Sequence, residues 1–193
     1  MKGETNDTER NAVNDTALAK SENRPLSKRG MLAMQGATQD DLQIDGAHPK
    51  DGHEFERWVN TKYFGNQGRR LNVNVFDNYE HLDRSSDSGF GLEHERRTDI
   101  YLDNTGEIWE LKSGYESGSI TKGQLEDYQS MLNAGYVYET DENNKKVPRA
   151  VNNVYYLFGS KEGARNNASK FVDRDIFLCY VDDNNDIQQL TPE

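Results

Sequence analysis

The stretch from Arg97 to Gly114 constrains this chain more than any other. The run Arg97-Thr98-Asp99-Ile100-Tyr101-Leu102 leads into Asp103-Asn104-Thr105-Gly106, and Glu107-Ile108-Trp109-Glu110-Leu111-Lys112-Ser113-Gly114 follows. Two alternating runs around a glycine-containing turn read as a β-hairpin. On the first strand Ile100 and Leu102 share one face, and Asp99 and Tyr101 the other. On the second, Trp109 and Leu111 oppose Ile108, Glu110 and Lys112. A buried face gathers its apolar residues, which pairs Ile100 with Trp109 and Leu102 with Glu107. The same register sets Asp99 opposite Glu110, with Lys112 diagonal to it, at Cβ separations of about 5 and about 7 Å. A bulged three-residue loop would shift the pairing by one; the apolar pattern argues for the first register.

Two carboxylates at that distance repel unless a cation lies between them. A divalent metal suits such a pair, and Mg²⁺ takes carboxylate oxygens while keeping several waters. A neighbouring lysine can orient a nucleophile or stabilise developing negative charge. Two carboxylates, a metal and a lysine together suit phosphodiester hydrolysis. The plain alternative is a solvated hairpin face with a weak cross-strand ion pair.

Around the hairpin the chain changes character. Leu, Ile, Val and Phe number 37, but only Val13, Leu18, Leu26, Leu32, Leu42 and Ile44 fall in the first 50 residues. Residues 1–46 therefore read as a flexible leader or linker, with too little apolar surface to offset ordering, and 47–193 as the folded domain. Asp51-Gly52-His53-Glu54 reads as a helix start, followed by Phe55, Trp58, Val59 and Tyr63 at helical spacing. Leu71–Val75 alternates like a strand, and residues 77–95 read as a long polar loop. After the hairpin a helix is expected over about 119–134, with Ile120, Leu125, Tyr128, Met131 and Leu132 on one face and Gly135 as its stop. A strand at Val151–Phe158, a helix near 162–170 and a strand at Asp175–Val181 complete the order α, β, β, β, α, β, α, β. This is a mixed α/β domain.

Composition excludes several classes. Nothing approaches the roughly 20 apolar residues of a membrane span; the richest run is Val154–Phe158. The polar opening Met1–Asp7 predicts no secretory signal peptide. The net charge of −11 argues against a simple cationic nucleic-acid coat. Cys179 stands alone in Ile176–Tyr180 and reads as a small buried residue. His48, His53, His81 and His94 form no helical ligand pair, and His94 is the one nearest the hairpin in sequence. Ser85, Ser86 and Ser88 lack the partners of a serine hydrolase, and no P-loop or Gly-x-Gly-x-x-Gly occurs. Arg96 and Arg97 are candidate phosphate contacts. Arg69-Arg70 and Lys145-Lys146 are other small basic spots.

Asp99…Glu110-Leu111-Lys112 resembles the motif of the PD-(D/E)xK nuclease superfamily, with Thr98 where the proline of that name stands. Gln124-Leu125-Glu126-Asp127-Tyr128 resembles the Gln-x-x-x-Tyr signature of its RecB-like branch, although Thr121-x-x-Gln124 also reads as a capping box and Tyr128 as a core aromatic. Gly52-His53-Glu54-Phe55-Glu56 resembles the Gly-x-x-Phe-Glu opening of many members; Glu56 matches the family glutamate better than Glu54. The resemblance covers roughly residues 50–180. It implies a restriction-endonuclease-like core, a mixed central β-sheet flanked by helices. It also implies that Asp99, Glu110 and the Leu111 carbonyl hold Mg²⁺ or Mn²⁺, with Glu56 on a bound water or a second metal. Lys112 would position or activate the attacking water. Gln124 would orient Lys112 or touch the phosphate, and Tyr128 would line the strand-binding surface.

The implied activity is a phosphodiester hydrolase acting on DNA, with RNA as the alternative. A small nuclease domain behind a polar leader resembles the toxin modules of bacterial polymorphic toxins. That setting implies delivery by a carrier, action in the bacterial cytoplasm, and restraint by a cognate immunity or inhibitor protein, with no membrane partner. A phage or repair nuclease is the second setting. From a different class, an acidic, non-catalytic protein-interaction module on the same fold is the competing expectation.

Overall fold

The computed structural model describes residues 48–78, 81–82, 95–113 and 120–192. The leader at 1–46, most of the 77–95 loop, His94, the three serines at 85, 86 and 88, and Gly114 lie outside the described residues.

The hairpin forms in the expected register. Strand β3 (Ile100–Leu102) pairs antiparallel with β4 (Glu107–Lys112), Ile100 opposite Trp109 and Leu102 opposite Glu107. Gly106 closes the turn at φ 66°, donating its N–H to the Leu102 carbonyl at 2.8 Å. A Cβ there would lie 3.0 Å from the Ala150 carbonyl oxygen and 2.8 Å from the Asn152 amide. Backbone sign and space both demand glycine. Gly106→Ala is expected to cost about 2 kcal/mol, read as a lowered denaturation midpoint without change of slope.

Five strands make one mixed sheet in the order β3-β4-β7-β8-β9, with β7 at Asn153–Phe158, β8 at Phe177–Val181 and β9 at Ile187–Leu190. The β4–β7 and β7–β8 pairs are parallel, whereas both outer pairs are antiparallel. Helix α3 (Lys122–Ala134) lies in the β4-to-β7 connection and α4 (Lys161–Asn167), continued by a 3-10 turn at Ala168–Phe171, joins β7 to β8. The two crossovers step in the same direction across the sheet, so right-handed connections place both on one face. The packing agrees: Ile108, Val154, Tyr156 and Leu178 from the sheet meet Leu125, Tyr128, Met131, Ala164 and Phe171 in one buried cluster.

The opposite face carries Trp109, Tyr155 and Phe177 side by side. Trp109 stacks on Tyr155 with ring centroids 4.1 Å apart, and Tyr155 on Phe177 at 5.0 Å. Such pairs add about 0.5–1.5 kcal/mol each beyond the area they bury. Helix α1 (Gly52–Phe64) covers this row, with Phe64 5.1 Å from Trp109. It begins where the sequence placed it, because the Asp51 carboxylate accepts from the His53 and Glu54 amides.

Two departures from the sequence reading concern the rim. The expected strand at 71–75 shortens to β1 (Asn72–Val73), paired with β2 (Arg96–Arg97), and a one-turn helix α2 (Val75–Asn78) follows. A second antiparallel hairpin, β5 (Tyr136–Thr140) with β6 (Lys146–Ala150), precedes β7. The buried Asn78 amide ties α2 and β5 together. It donates to the Asn74 and Tyr138 carbonyls and accepts from the Tyr138 N–H, so one side chain ends α2 and extends the β5 ladder. No helix among the described residues is long and apolar enough to cross a membrane.

Candidate active site

Asp99, Glu110 and Lys112 converge where β4 ends. Asp99 precedes β3 by one residue, and its Oδ2 accepts the Leu111 N–H at 2.8 Å. That bond ties the carboxylate to the edge of β4 just past the last ladder pair. In an extended strand the carbonyl of a residue points to the same side as its N–H, so the Leu111 carbonyl faces the Asp99 edge as well. Glu110 and Lys112 lie on the face that α3 covers, and Lys112 Nζ is 3.9 Å from Glu110 Oε2. Glu110 is 2% exposed, whereas Asp99 is half-buried. The parallel register places Tyr156 beside Glu110, and Lys112 Nζ sits 5.9 Å from the Tyr156 ring centre.

Helix α3 grips Glu110 with two side chains one turn apart. Gln124 Nε2 donates to Glu110 Oε2 at 3.1 Å, and the Tyr128 hydroxyl donates to Glu110 Oε1. Both readings of this segment hold. Thr121 caps the helix by accepting the Gln124 N–H, and Tyr128 is fully buried, edge-on to Tyr156. Tyr128 therefore stands behind the carboxylate and is not exposed to line a strand-binding surface. The Gln124 amide likewise rests on Glu110 and has no bond to Lys112 among the described residues.

The electrostatics follow from burial and crowding. Burial, and next the Asp99 charge, push the Glu110 carboxyl up to about 8; Lys112, the Tyr128 bond and Arg96 oppose this. Asp99 is raised by burial, against the Leu111 N–H, Lys112 and Arg70, with Glu56 adding to the rise. The Tyr128 and Tyr156 phenols are raised well above their ordinary range, chiefly by burial, and stay neutral. Burial thus favours the protonated form of Glu110 far more than for an ordinary carboxylate. A divalent cation would offset the same crowding, and each bonded carboxylate oxygen retains a lone pair for it. Among the described residues no group of three or more His, Cys, Asp or Glu is placed to hold a metal ion. Two carboxylates and a backbone carbonyl fit a cation that keeps part of its water shell, such as Mg²⁺ or Mn²⁺.

The other candidates divide by partner. Both Glu56 oxygens accept from Arg70, Oε1 from Nε at 3.1 Å and Oε2 from Nη2 at 2.8 Å. Arg96 donates through Nε and Nη2 to the buried Asp127 of α3. Its guanidinium is thus committed to anchoring the helix. Arg97 is exposed on β2. His48 packs its ring 5.4 Å from that of Phe55, and His81 bonds the Tyr136 carbonyl at 2.8 Å. Cys179 is buried, with its thiol pushed up to about 12 by burial. The sequence reading did not single out Asp127 and Tyr156. Asp127 lies inside the Gln124–Tyr128 segment already in view, while Tyr156 could be found only from the parallel pairing. No family model, no curated protein and no solved structure matches this chain.

Proposed function

We propose that this chain is a metal-dependent nuclease that hydrolyses phosphodiester bonds, with a site of the PD-(D/E)xK kind. One observation carries the reading: Asp99, Glu110 and Lys112 meet at the end of β4 while α3 grips Glu110 through Gln124 and Tyr128. A solvated hairpin face would not bury a glutamate to 2% exposure beside a second carboxylate.

Asp99, Glu110 and the Leu111 carbonyl would hold Mg²⁺ or Mn²⁺. Such an ion, when bound, polarises a phosphoryl oxygen and makes water more acidic. The rest falls to the chain. Asp99 is fixed by the Leu111 N–H, so its free oxygen keeps one direction. Gln124 and Tyr128 hold Glu110 in a single rotamer and stabilise its charged form. Lys112 brings a positive charge to the same face, where it orients the attacking water and stabilises charge on the phosphate. Glu56 lies in the electrostatic field of Asp99 and is suited to a water-holding role once its own ion pair opens.

DNA is the proposed substrate, with RNA second. The proposed setting is a toxin or effector module of bacterial origin, restrained by an immunity protein. The net charge of −11 favours one other reading, an acidic protein-interaction module. Purified protein incubated with supercoiled plasmid, linear DNA and total RNA, in Mg²⁺ or EDTA, separates them. Cutting in Mg²⁺ alone supports the nuclease; a folded protein that cuts nothing with any divalent metal points to the interaction module.

A further inference from the structure

The arginines around the hairpin edge are not equivalent. Arg69 is fully engaged, donating to both oxygens of Asp103 and both of Glu139. Arg96 is spent on buried Asp127. Arg70 combines three features that neither of the others joins. It stands between Arg69, whose backbone pairs with Tyr101, and Leu71, whose carbonyl accepts the Thr98 N–H, which sets it alongside Asp99, and its charge acts on that carboxylate. Its side chain is 34% exposed. Its only acidic partner among the described residues is Glu56, met through Nε and Nη2, which leaves Nη1 without one.

We infer that Arg70 is a phosphodiester-binding residue of the site, held by Glu56 until a nucleic-acid strand arrives. The inference rests on the nuclease reading above and adds a substrate contact to it. A guanidinium fork matches two phosphate oxygens as well as it matches two carboxylate oxygens. The Glu56–Arg70 pair is partly exposed on both sides, and ion pairs of that kind hold weakly. A phosphate can displace Glu56 at small cost. The exchange removes Arg70 from Glu56 and returns the Glu56 charge to the side of Asp99. Arriving substrate would thereby make the site more negative, in the direction that favours a divalent cation. Arg70 thus couples the two occupants of the site.

The test reads binding and not turnover. Fluorescence anisotropy of labelled DNA and RNA oligonucleotides is measured across a salt series, in EDTA and in calcium chloride, for wild type, Arg70→Gln and Glu56→Gln. Loss of one phosphate contact reduces the slope of log affinity against log salt by about 0.9 on duplex DNA and about 0.7 on a single strand. Arg70→Gln is expected to show that reduction and to bind several-fold more weakly at low salt. Glu56→Gln, which releases Arg70, is expected to bind several-fold more tightly in EDTA. It keeps the inference open to refutation if Arg70→Gln misfolds. Wild-type slope and affinity in Arg70→Gln, or no gain in Glu56→Gln, would overturn the role of Arg70 and leave the nuclease reading standing. A wild-type protein that binds no oligonucleotide in either condition would overturn both.

Discussion

Lys112→Ala is expected to reduce Mg²⁺-dependent cleavage by at least about 10²-fold, the usual scale for loss of a preorganised charge at a reacting centre, and to leave the fold intact. Lys112 is the last residue of β4, and its main chain is secured independently of its side chain: the Lys112 carbonyl accepts the Gly159 N–H at 2.8 Å. The side chain lies over the Tyr156 ring and against Glu110, so truncation removes charge and leaves the aromatic core beneath it in place. Lys112→Met keeps most of the stem and removes only the charge. If the lysine acts by charge, both variants fall to the same low rate while their circular dichroism and thermal midpoints stay near wild type. A Met variant that cuts at the wild-type rate would remove Lys112 from the chemistry.

The geometry behind that expectation was legible in part from the residues themselves. Alternation of Ile100, Leu102, Trp109 and Leu111 set the hairpin register, because a slip of one would have turned every apolar side chain to the wrong face. Local chemistry likewise announced the helix ends at Asp51, Thr121 and Gly135, since caps depend on residues next to them. The rim was harder to read. The β5–β6 hairpin has half-exposed strands with Pro148 inside one of them, so its periodicity is shallow. It is tied to the molecule by Asn78, 60 residues before Tyr138, a bond that no local pattern displays. The partners of the site side chains were hidden for the same reason. Whether Gln124 reaches Lys112 or Glu110, and whether Arg96 meets a phosphate or Asp127, depends on how α3 settles against the sheet. Spacing within α3 fixes only that Gln124 and Tyr128 share a face.

That settled position of α3 makes the stability of the chain depend on pH through Glu110. Burial pushes the carboxyl up to about 8 in the folded chain against 4.5 ordinarily. Across that interval the folded state keeps a proton that the unfolded state releases. The contribution is therefore fully present below about 4.5 and is lost as pH rises through about 8. In EDTA, stability should fall by about 1.4 kcal/mol for each pH unit gained within the window. From about pH 6 to about pH 8, with the slope easing as the folded carboxyl begins to ionise, that comes to about 2.3 kcal/mol, a drop of about 5–9 °C in Tm for a chain of this size. Asp99 and Glu107 are raised in the same direction, whereas Asp103, Glu139 and Asp182 are lowered and act only at more acid pH.

Glu110→Gln isolates the term. Its amide has the shape of the protonated acid; the carbonyl can still accept from Tyr128, and Gln124 can turn its own amide to meet the new NH₂. This variant should be more stable than wild type at pH 8, nearly equal at pH 5, and flatter between. A divalent cation competes with the proton for the same oxygens. Adding Mg²⁺ or Mn²⁺ should therefore raise the wild-type Tm more at pH 8 than at pH 6, and should do little to Glu110→Gln. Equal pH slopes in the two proteins would mean that Glu110 is ionised in the folded chain, and the burial that sets it apart from a surface carboxylate would no longer explain its place beneath α3.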